Sequence, residues 1–237
     1  MTELTKLDAL YEGKAKILYK TEDPDYLIMH FKDDATAFNA KKTGSWKNKG
    51  VVNSRISAVL TTLVEKAGVE SHYVKNLNDR EQLVKAVEIV PVEVVIRNVV
   101  AGSLARRLGM EEGAPISKPF VEFYYKSDPL DDPMILPQWV LEFGWATADE
   151  LTLMEKYALI VNDVVGKFML DRGIKLIDFK VEFGRHKGRL ILADEITPDG
   201  SRLWEISTGR KLDKDRFRHS LGAEAETYEE LLSIVER

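Results

Sequence analysis

The stretch of residues 176–204 constrains the fold of this 237-residue chain more than any other. Apolar and charged residues alternate over residues 177–183, and this period of two is typical of a β-strand with two different faces. Gly184 and Gly188 bracket a short segment, which predicts a hairpin. One face of the predicted strand carries the charged residues Asp178, Lys180 and Glu182.

The predicted hairpin brings acidic side chains towards each other. If its turn is centred on His186, Asp178 lies opposite Asp194 on the returning strand. Like charges that face each other across strands destabilise a sheet, so a cation is expected between them. Mg²⁺ prefers oxygen ligands and usually also binds substrate phosphates. A metal–nucleotide site is therefore predicted, and the alternative is a solvated strand face; both involve the acids Asp178, Glu182, Asp194 and Glu195.

Composition excludes several other kinds of site. The chain has no cysteine, which excludes disulfides and thiolate chemistry, and its four histidines form no close metal-ligand spacing. The formal net charge of −5 argues against non-specific nucleic-acid binding. The first ten residues lack a signal-peptide core, and no segment reaches the length of a membrane helix. We therefore expect a cytoplasmic protein without nucleic-acid or membrane partners.

The remaining pattern predicts a mixture of strands and helices. A hairpin is expected from residues 17–19 and 26–31, a long polar loop from residues 32–50, and a helix from residues 51–67. Capping boxes at Thr147 and Thr227 predict the starts of two further helices. A lobe boundary is expected near residues 87–91, just before the β-branched run of residues 92–98.

Three short segments have the chemistry of anion sites. Residues 11–16 place a glycine before two lysines, which suits a phosphate, although an ordinary turn is the alternative. Arg97 and Ser103 form a phosphate or carboxylate pocket, or else a structural ion pair and a helix cap. The Pro-Asp-Gly turn at residues 198–200 projects Asp199 and Arg202 past the acidic strand. The charge-dense segment 213–218 is expected to be an exposed helix start.

The two halves of the opening stretch, residues 176–184 and 190–202, resemble the signature motifs of the phosphoribosylaminoimidazole-succinocarboxamide synthase (SAICAR synthetase) family. Segments 11–16, 90–93, 95–98, 101–103 and 213–218 are also similar to family segments. The resemblance covers nearly the whole chain and fits a bacterial, single-function member. It implies an α+β fold of two lobes, mainly antiparallel sheets with flanking helices, related to ATP-grasp and kinase-like nucleotide folds.

The same resemblance implies a function and a separate role for each of the two lobes. The family joins L-aspartate to the carboxylate of carboxyaminoimidazole ribonucleotide in de novo purine synthesis, using ATP and Mg²⁺. Residues 1–88 are then an N-terminal β-rich nucleotide-binding lobe. Residues 89–237 are an α+β lobe with the metal and ribonucleotide site. Bacterial members are usually homo-oligomers, so a homodimer is expected.

The resemblance also implies roles for individual residues. Gly13, Lys14 and Lys16 lie over the ATP phosphates, and Glu93 contacts the nucleotide. The implied metal ligands are Glu182 and Asp194. Lys14, Asp178 and Lys180 are the implied catalytic residues, the last two orienting phosphate or substrate. The ribonucleotide site is implied for Arg97, Ser103, Asp199 and Arg202, with Lys126 and Asp132 at its border.

Two other functions share part of these features. A small-molecule kinase would use the same glycine loop and metal acids, but it would form a stable phosphorylated product without an amine. A non-catalytic nucleotide-binding regulator would commonly have lost metal-ligating acids, whereas all four acids are present here. The residues and the resemblance together favour the ligase.

Overall fold

The chain forms three antiparallel sheets, of five, six and two strands, together with six α-helices, in the part that a computed structural model describes, residues 4–37 and 41–237. The strands are β1 (Lys6–Glu12), β2 (Lys16–Thr21), β3 (Tyr26–Phe31), β4 (Asp34–Ala37), β5 (Lys42–Ser45), β6 (Tyr73–Asn78), β7 (Glu81–Lys85), β8 (Glu88–Val99), β9 (Pro115–Tyr125), β10 (Met134–Ile135), β11 (Ile174–His186), β12 (Arg189–Ala193) and β13 (Ser201–Glu205). The helices are α1 (Lys49–Lys66), α2 (Gly102–Leu108), α3 (Pro137–Glu142), α4 (Ala148–Leu170), α5 (Asp215–Arg218) and α6 (Glu224–Val235). This architecture confirms the predicted α+β class.

The five-stranded sheet contains the glycine loop. Its strand order is β1-β2-β3-β7-β6, and β2 and β3 form the predicted hairpin with Ile17 opposite His30. The amide of Gly13 donates to the carbonyl of Lys16 at 2.9 Å and closes the turn between β1 and β2. This turn places Lys14 and Lys16 at the start of β2.

The prediction of a simple loop over residues 32–50 is wrong. Within it β4 pairs with β5, with Asp34 opposite Ser45. Ala35 and Ala37 are buried against Phe217, so this small hairpin has its own apolar contact. The alternation that marks β4 extends over only four residues, which is too short to stand out from a polar segment. Residues 38–40 of the predicted loop lie outside the described residues.

Strand β11 is the centre of the six-stranded sheet. It is bordered by β8 on one side and by β13 and then β12 on the other. Phe179, Val181 and Phe183 are buried in the main core, whereas the alternate positions carry the charged residues. The predicted two-faced strand is therefore confirmed.

The predicted register of the hairpin is wrong. Glu182 pairs with Ala193 and His186 pairs with Arg189, so the turn is made by Lys187 and Gly188. Both turn residues have positive φ, 51° and 76°, as the favoured two-residue hairpin turn requires. Asp194 therefore follows the end of β12 and does not face Asp178.

One apolar core joins α1, α4 and α6 to the larger sheet. It includes Val52 and Ile56 of α1, Met154 and Val161 of α4, and Leu231 of α6. Since α1 precedes the predicted lobe boundary and α4 follows it, this core spans both sides, and the division at residues 88 and 89 stays a prediction.

None of the helices in residues 4–37 and 41–237 has the length and hydropathy needed to cross a membrane.

The two predicted capping boxes have different outcomes. Thr147 Oγ1 accepts from the Glu150 amide at 3.2 Å, and the Glu150 carboxylate accepts from the Thr147 amide at 2.9 Å. This box opens α4 as predicted. The box at Thr227 is wrong, because α6 begins at Glu224 and Thr227 is buried inside it.

Asp213 connects the segment before α5 to β13. Its fully buried carboxylate accepts hydrogen bonds from the amides of Leu203 and Asp215, at 2.8 and 2.7 Å. Burial, and then the charge of Asp215, raise the pKa of Asp213 to about 7, although the two amides oppose this change. The segment of residues 213–218, which was expected to be exposed, is therefore held in place by a buried carboxylate.

Replacing Thr147 by alanine removes the side-chain acceptor at the start of α4. We expect the free energy of unfolding to fall by about 1 kcal/mol, the usual effect of losing such a cap. Urea unfolding followed by circular dichroism measures this change. Thr152→Ala, which removes a hydroxyl bonded within the same helix, is the matched control. An unchanged free energy for Thr147→Ala would contradict the capping assignment.

The buried Asp213 predicts a pH-dependent stability. The unfolded chain releases this proton near pH 3.8, whereas the folded chain holds it up to about pH 7. Folding binds a proton in this window, so the stabilisation present at low pH is lost as pH rises through the folded-state pKa. We expect Asp213→Asn to gain stability relative to the unmodified chain between about pH 4 and about pH 7. The free energy of unfolding of both proteins, measured with urea at each pH, checks this. If it changes with pH in the same way in both, Asp213 does not titrate as described.

Candidate active site

Carboxylates and ammonium groups meet where β8, β11 and the end of β12 lie side by side. Glu93 on β8 lies directly opposite Glu182 on β11. These like charges would repel each other without a cation, and Lys180, on the same face of β11, contacts both. We name this group the carboxylate–lysine cluster; it comprises Lys16, Glu93, Lys126, Lys180, Glu182, Asp194 and Glu195.

Lys180 is the centre of this cluster. Its Nζ donates to Glu93 Oε1 at 3.0 Å and to Asp194 Oδ2 at 3.4 Å, and it also contacts Glu182. Asp194 has a left-handed backbone, with φ of 62°, directly after β12. A sheet pair and a strand end thus direct three acids, predicted as nucleotide and metal residues, towards one ammonium group.

Lysines from two other segments contact the same acids. Lys16, at the start of β2, contacts Asp194 and Glu195. Lys126, just after β9, donates to Glu182 Oε1 at 3.0 Å. The structure therefore brings the glycine loop and the predicted border of the substrate pocket to the acidic end of the hairpin.

Lys14 connects the glycine loop to the segment after β9. Its Nζ donates to Asp128 Oδ1 at 2.6 Å, and both side chains are largely exposed. In the same segment Asp132 Oδ1 accepts from the Ser127 amide at 2.8 Å. Asp132 therefore shapes this loop, and its predicted contact with substrate stays a prediction.

The lysines keep the buried acids ionised. Burial raises the pKa of Glu182, but the charge of Lys180 and of two further lysines outweighs it and holds that pKa well below its usual range. The pKa of Glu195 is lowered in the same way, chiefly by Lys16. Burial lowers the pKa of Lys180, yet the charges of Glu182 and Glu93 raise it above its usual value. Glu182, Glu195 and Lys180 are therefore fixed charges at neutral pH.

The donor chemistry of Glu182 and Asp194 fits Mg²⁺. Both carboxylates contact the Lys180 ammonium, so their oxygens surround a point that already favours positive charge. Within residues 4–37 and 41–237, no group of three or more histidines, aspartates or glutamates is arranged to hold a metal ion. Mg²⁺ is usually held by one or two carboxylates together with substrate phosphates. Two carboxylates therefore suffice for an ion that arrives with a nucleotide.

A second group of charges lies nearer the start of β11. Asp178 pairs with Arg97 of β8 on one side and with Arg202 of β13 on the other. Arg97 Nη1 donates to Asp178 Oδ2 at 2.6 Å, and Arg202 Nη1 donates to the same oxygen at 2.9 Å. Arg97 Nη2 donates to Ser103 Oγ at 2.9 Å. Three predicted substrate residues are thus brought together around Asp178.

Gly102 allows Arg202 to approach the start of α2. Its φ of 55° is a conformation that favours glycine. A β-carbon at Gly102 would lie 2.3 Å from Arg202 Nη2, which is far too close for any contact. Every side chain at this position would displace the guanidinium group.

Asp199 does not join the two arginines. Its Oδ2 lies 2.5 Å from Lys49 Nζ and 3.7 Å from Lys214 Nζ, and its Oδ1 accepts from the Tyr228 hydroxyl at 2.8 Å. Burial raises the pKa of Asp199, but the charges of Lys214 and Lys49 lower it to about 2. Its predicted place beside the ribonucleotide phosphate stays a prediction.

The sequence did not point to the acids that hold the arginines. Glu122 lies within β9, where nothing distinguishes it from a surface residue, yet it is 5 % exposed. Asp215 was assigned to an exposed helix start and is fully buried, so that expectation is wrong. The dense alternation of acids and bases in residues 213–218 was the one available signal.

Sequence comparison finds relatives of this chain over nearly its whole length. A profile of the SAICAR synthetase family matches residues 9–235. The phosphoribosylaminoimidazole-succinocarboxamide synthase of Magnetococcus marinus is 54% identical over 231 residues, which cover 96% of each chain.

Solved structures of the same kind share the fold. The synthase of Ehrlichia chaffeensis superimposes with a TM-score of 0.94 at 44% identity, over 97% of this chain and 98% of that one. A SAICAR synthetase in complex with ADP gives a TM-score of 0.93 at 43% identity, over 96% and 97% of the two chains. Because these matches in sequence and in fold extend over nearly the whole length, the chain belongs to the SAICAR synthetase family.

Proposed function

We propose that the chain is an ATP-dependent carbon–nitrogen ligase of purine synthesis that joins L-aspartate to the carboxylate of carboxyaminoimidazole ribonucleotide. The products are SAICAR, ADP and phosphate. Membership of the family carries this proposal. The charge clusters support it, because one suits a metal-bound nucleotide and the other suits a phosphate monoester.

ATP is assigned to the carboxylate–lysine cluster. A structurally similar SAICAR synthetase was solved with ADP, which supports a nucleotide site in this fold. Gly13, Lys14 and Lys16 are proposed to bind the phosphates, because a glycine loop with ammonium groups can neutralise them. Glu93 is proposed to contact the nucleotide, and its contact with Lys180 would fix its orientation.

Glu182 and Asp194 would hold Mg²⁺. When bound there, the ion would neutralise charge on the transferred phosphoryl group. Lys180 remains between these acids and Glu93, so it is proposed as the catalytic cation that orients the phosphate. Lys14, in the glycine loop, is proposed to contact the ATP phosphates during the transfer.

The chemistry requires activation of a poor acyl donor. A carboxylate oxygen of the ribonucleotide attacks the γ-phosphorus of ATP, and ADP leaves. The aspartate amine then attacks the carbonyl carbon of the acyl phosphate, loses a proton, and expels phosphate as the amide forms. Phosphoryl transfer depends mainly on positioning and charge neutralisation, which fixed lysines and carboxylates provide.

The ribonucleotide is assigned to the group around Asp178. Arg97, Ser103 and Arg202 are proposed to bind its 5′-phosphate, since guanidinium groups match phosphate oxygens in charge and shape. Asp178 is proposed to orient both arginines. Asp199 remains proposed beside this phosphate, and Lys126 and Asp132 remain proposed at the border of the substrate pocket.

We also propose a cytoplasmic homodimer. Residues 130–143 expose several large apolar side chains, among them Leu130, Trp139 and Phe143. Apolar surface of this kind commonly marks a contact between proteins. The kinase alternative is not favoured, since the sequence and structural relatives are synthases of the same family.

Omitting each substrate in turn from an ADP-release assay tests the proposed reaction. We expect ADP release only with ATP, the ribonucleotide and L-aspartate together, and with Mg²⁺ present. Asp194→Asn should lower turnover roughly 100-fold or more, because it removes a metal-ligating charge. Asparagine tolerates the left-handed backbone at this position, so the fold should be preserved.

Asp171→Asn is the control for this substitution. Asp171 pairs with Lys167 on the exposed end of α4 and should leave turnover unchanged. Aspartate-independent turnover that yields a stable phosphorylated alcohol would establish the kinase instead. Normal turnover of Asp194→Asn would remove Asp194 from the metal site.

A further inference from the structure

The two arginines of the phosphate site are held in matching ways. Arg97 donates from Nε to Glu122 at 2.8 Å and from Nη1 to Asp178 at 2.6 Å. Arg202 donates from Nε to Asp215 at 2.8 Å and from Nη1 to Asp178 at 2.9 Å. Each arginine therefore has one carboxylate of its own and shares the third.

This arrangement leaves the third nitrogen of both arginines at the start of α2. Arg97 Nη2 donates to Ser103 Oγ at 2.9 Å. Arg202 Nη2 lies against Gly102, where a β-carbon would be 2.3 Å away. Because a guanidinium group is planar and rigid, fixing Nε and Nη1 also fixes the direction of Nη2. The two outer carboxylates, Glu122 and Asp215, together with Asp178, thus determine where both Nη2 groups point.

Both outer carboxylates are themselves held in place. Glu122 contacts Arg107, and it accepts from the Tyr124 hydroxyl at 2.8 Å. Asp215 accepts from Arg218 Nη1 at 2.7 Å. Their side chains are only 5% and 1% exposed. The connected chain of four arginines and three carboxylates carries one positive charge in excess, which suits an anionic ligand.

Stability alone does not explain this chain of buried charges. Apolar residues of similar volume are often as stabilising as a buried ion pair, or more so. Burial raises the pKa of Asp215, and the charges of Arg202 and Arg218 outweigh it and lower that pKa to about 2. Asp215 therefore remains a fixed negative charge beside a site that must bind an anion. Such a charge is useful there if it orients the cations.

We propose that Glu122 and Asp215 are positioning residues that direct Arg97 and Arg202 towards the 5′-phosphate of the ribonucleotide. This inference rests on the proposed function. Neither carboxylate touches the substrate, since both would repel a phosphate. Each acts through the arginine that it holds, and together they set the spacing of the two Nη2 groups.

Glu122→Gln and Asp215→Asn test this inference, because both keep the shape of the side chain and remove its charge. We expect the KM for the ribonucleotide to rise roughly ten- to a hundredfold, by analogy with the loss seen when the outer partners of metal-ligating residues are removed. The KM for ATP and the kcat at saturation should change little. The KM for the matching ribonucleoside, which lacks the phosphate, should also be unchanged in both variants.

Two further variants separate positioning from structural damage. Glu150→Gln breaks another close arginine–glutamate pair, with Arg185, outside this chain of charges. It should lower thermal stability and leave unchanged the ratio of the KM for the ribonucleotide to the KM for the ribonucleoside.

Tyr124→Phe keeps every charge but removes the hydroxyl that donates to Glu122 and accepts from Arg107 Nη1 and, at 3.2 Å, from Arg97 Nη2. It loosens the same positioning chain without removing a carboxylate, and it should raise the KM for the ribonucleotide relative to that for the ribonucleoside by a smaller factor. This milder variant serves if Glu122→Gln does not fold.

The possible outcomes are distinct. A folded Glu122→Gln or Asp215→Asn with an unchanged ribonucleotide KM overturns the inference, as does an equal loss for ribonucleotide and ribonucleoside. If both larger variants fail to fold, an unchanged ratio in Tyr124→Phe overturns it. Absence of aspartate-dependent ADP release in the unmodified chain would instead refute the proposed function.

Discussion

The carboxylate of Asp178, shared by Arg97 and Arg202, is the interaction on which the rest of the site depends. Strand β11 places it between β8 and β13, so each neighbouring strand supplies one arginine. A buried charge without a partner destabilises a fold strongly. The ion pairs therefore form only if β8 and β13 border β11, and this strand order is stable only if both arginines pair with Asp178.

Strand β11 also sets the distance between the two clusters. Asp178 and Glu182 lie on the same face, four residues apart, which corresponds to about 13 Å along an extended strand. A ribonucleotide carries its phosphate on C5′ and its base on C1′, so the two groups are separated by the ribose. It could therefore place the phosphate at the arginines and the base carboxylate towards the proposed ATP site. A rigid strand with neighbours on both sides maintains that separation.

The local pattern predicted much of this arrangement and failed where distant contacts decide it. Alternation along residues 177–183 gave the two faces of β11, and the capping box at Thr147 gave the start of α4. The register was wrong because the turn is centred between Lys187 and Gly188 and not on His186, and Lys187, not a glycine, occupies one of its left-handed positions. Glu122 and Asp215 are recognised only through arginines on other strands. The alternation of acids and bases in residues 213–218 was a signal for Asp215, but nothing in either segment identifies the arginine that it holds.

The position of the ribonucleotide phosphate tests the central claim most directly. A crystal structure with carboxyaminoimidazole ribonucleotide bound would show it. We predict phosphate oxygens within hydrogen-bonding distance of Arg202 Nη2, Arg97 Nη2 and Ser103 Oγ, with the contacts to Glu122 and Asp215 retained. A phosphate bound instead among Lys16, Lys126 and Lys180, with no contact to either arginine, would contradict the account.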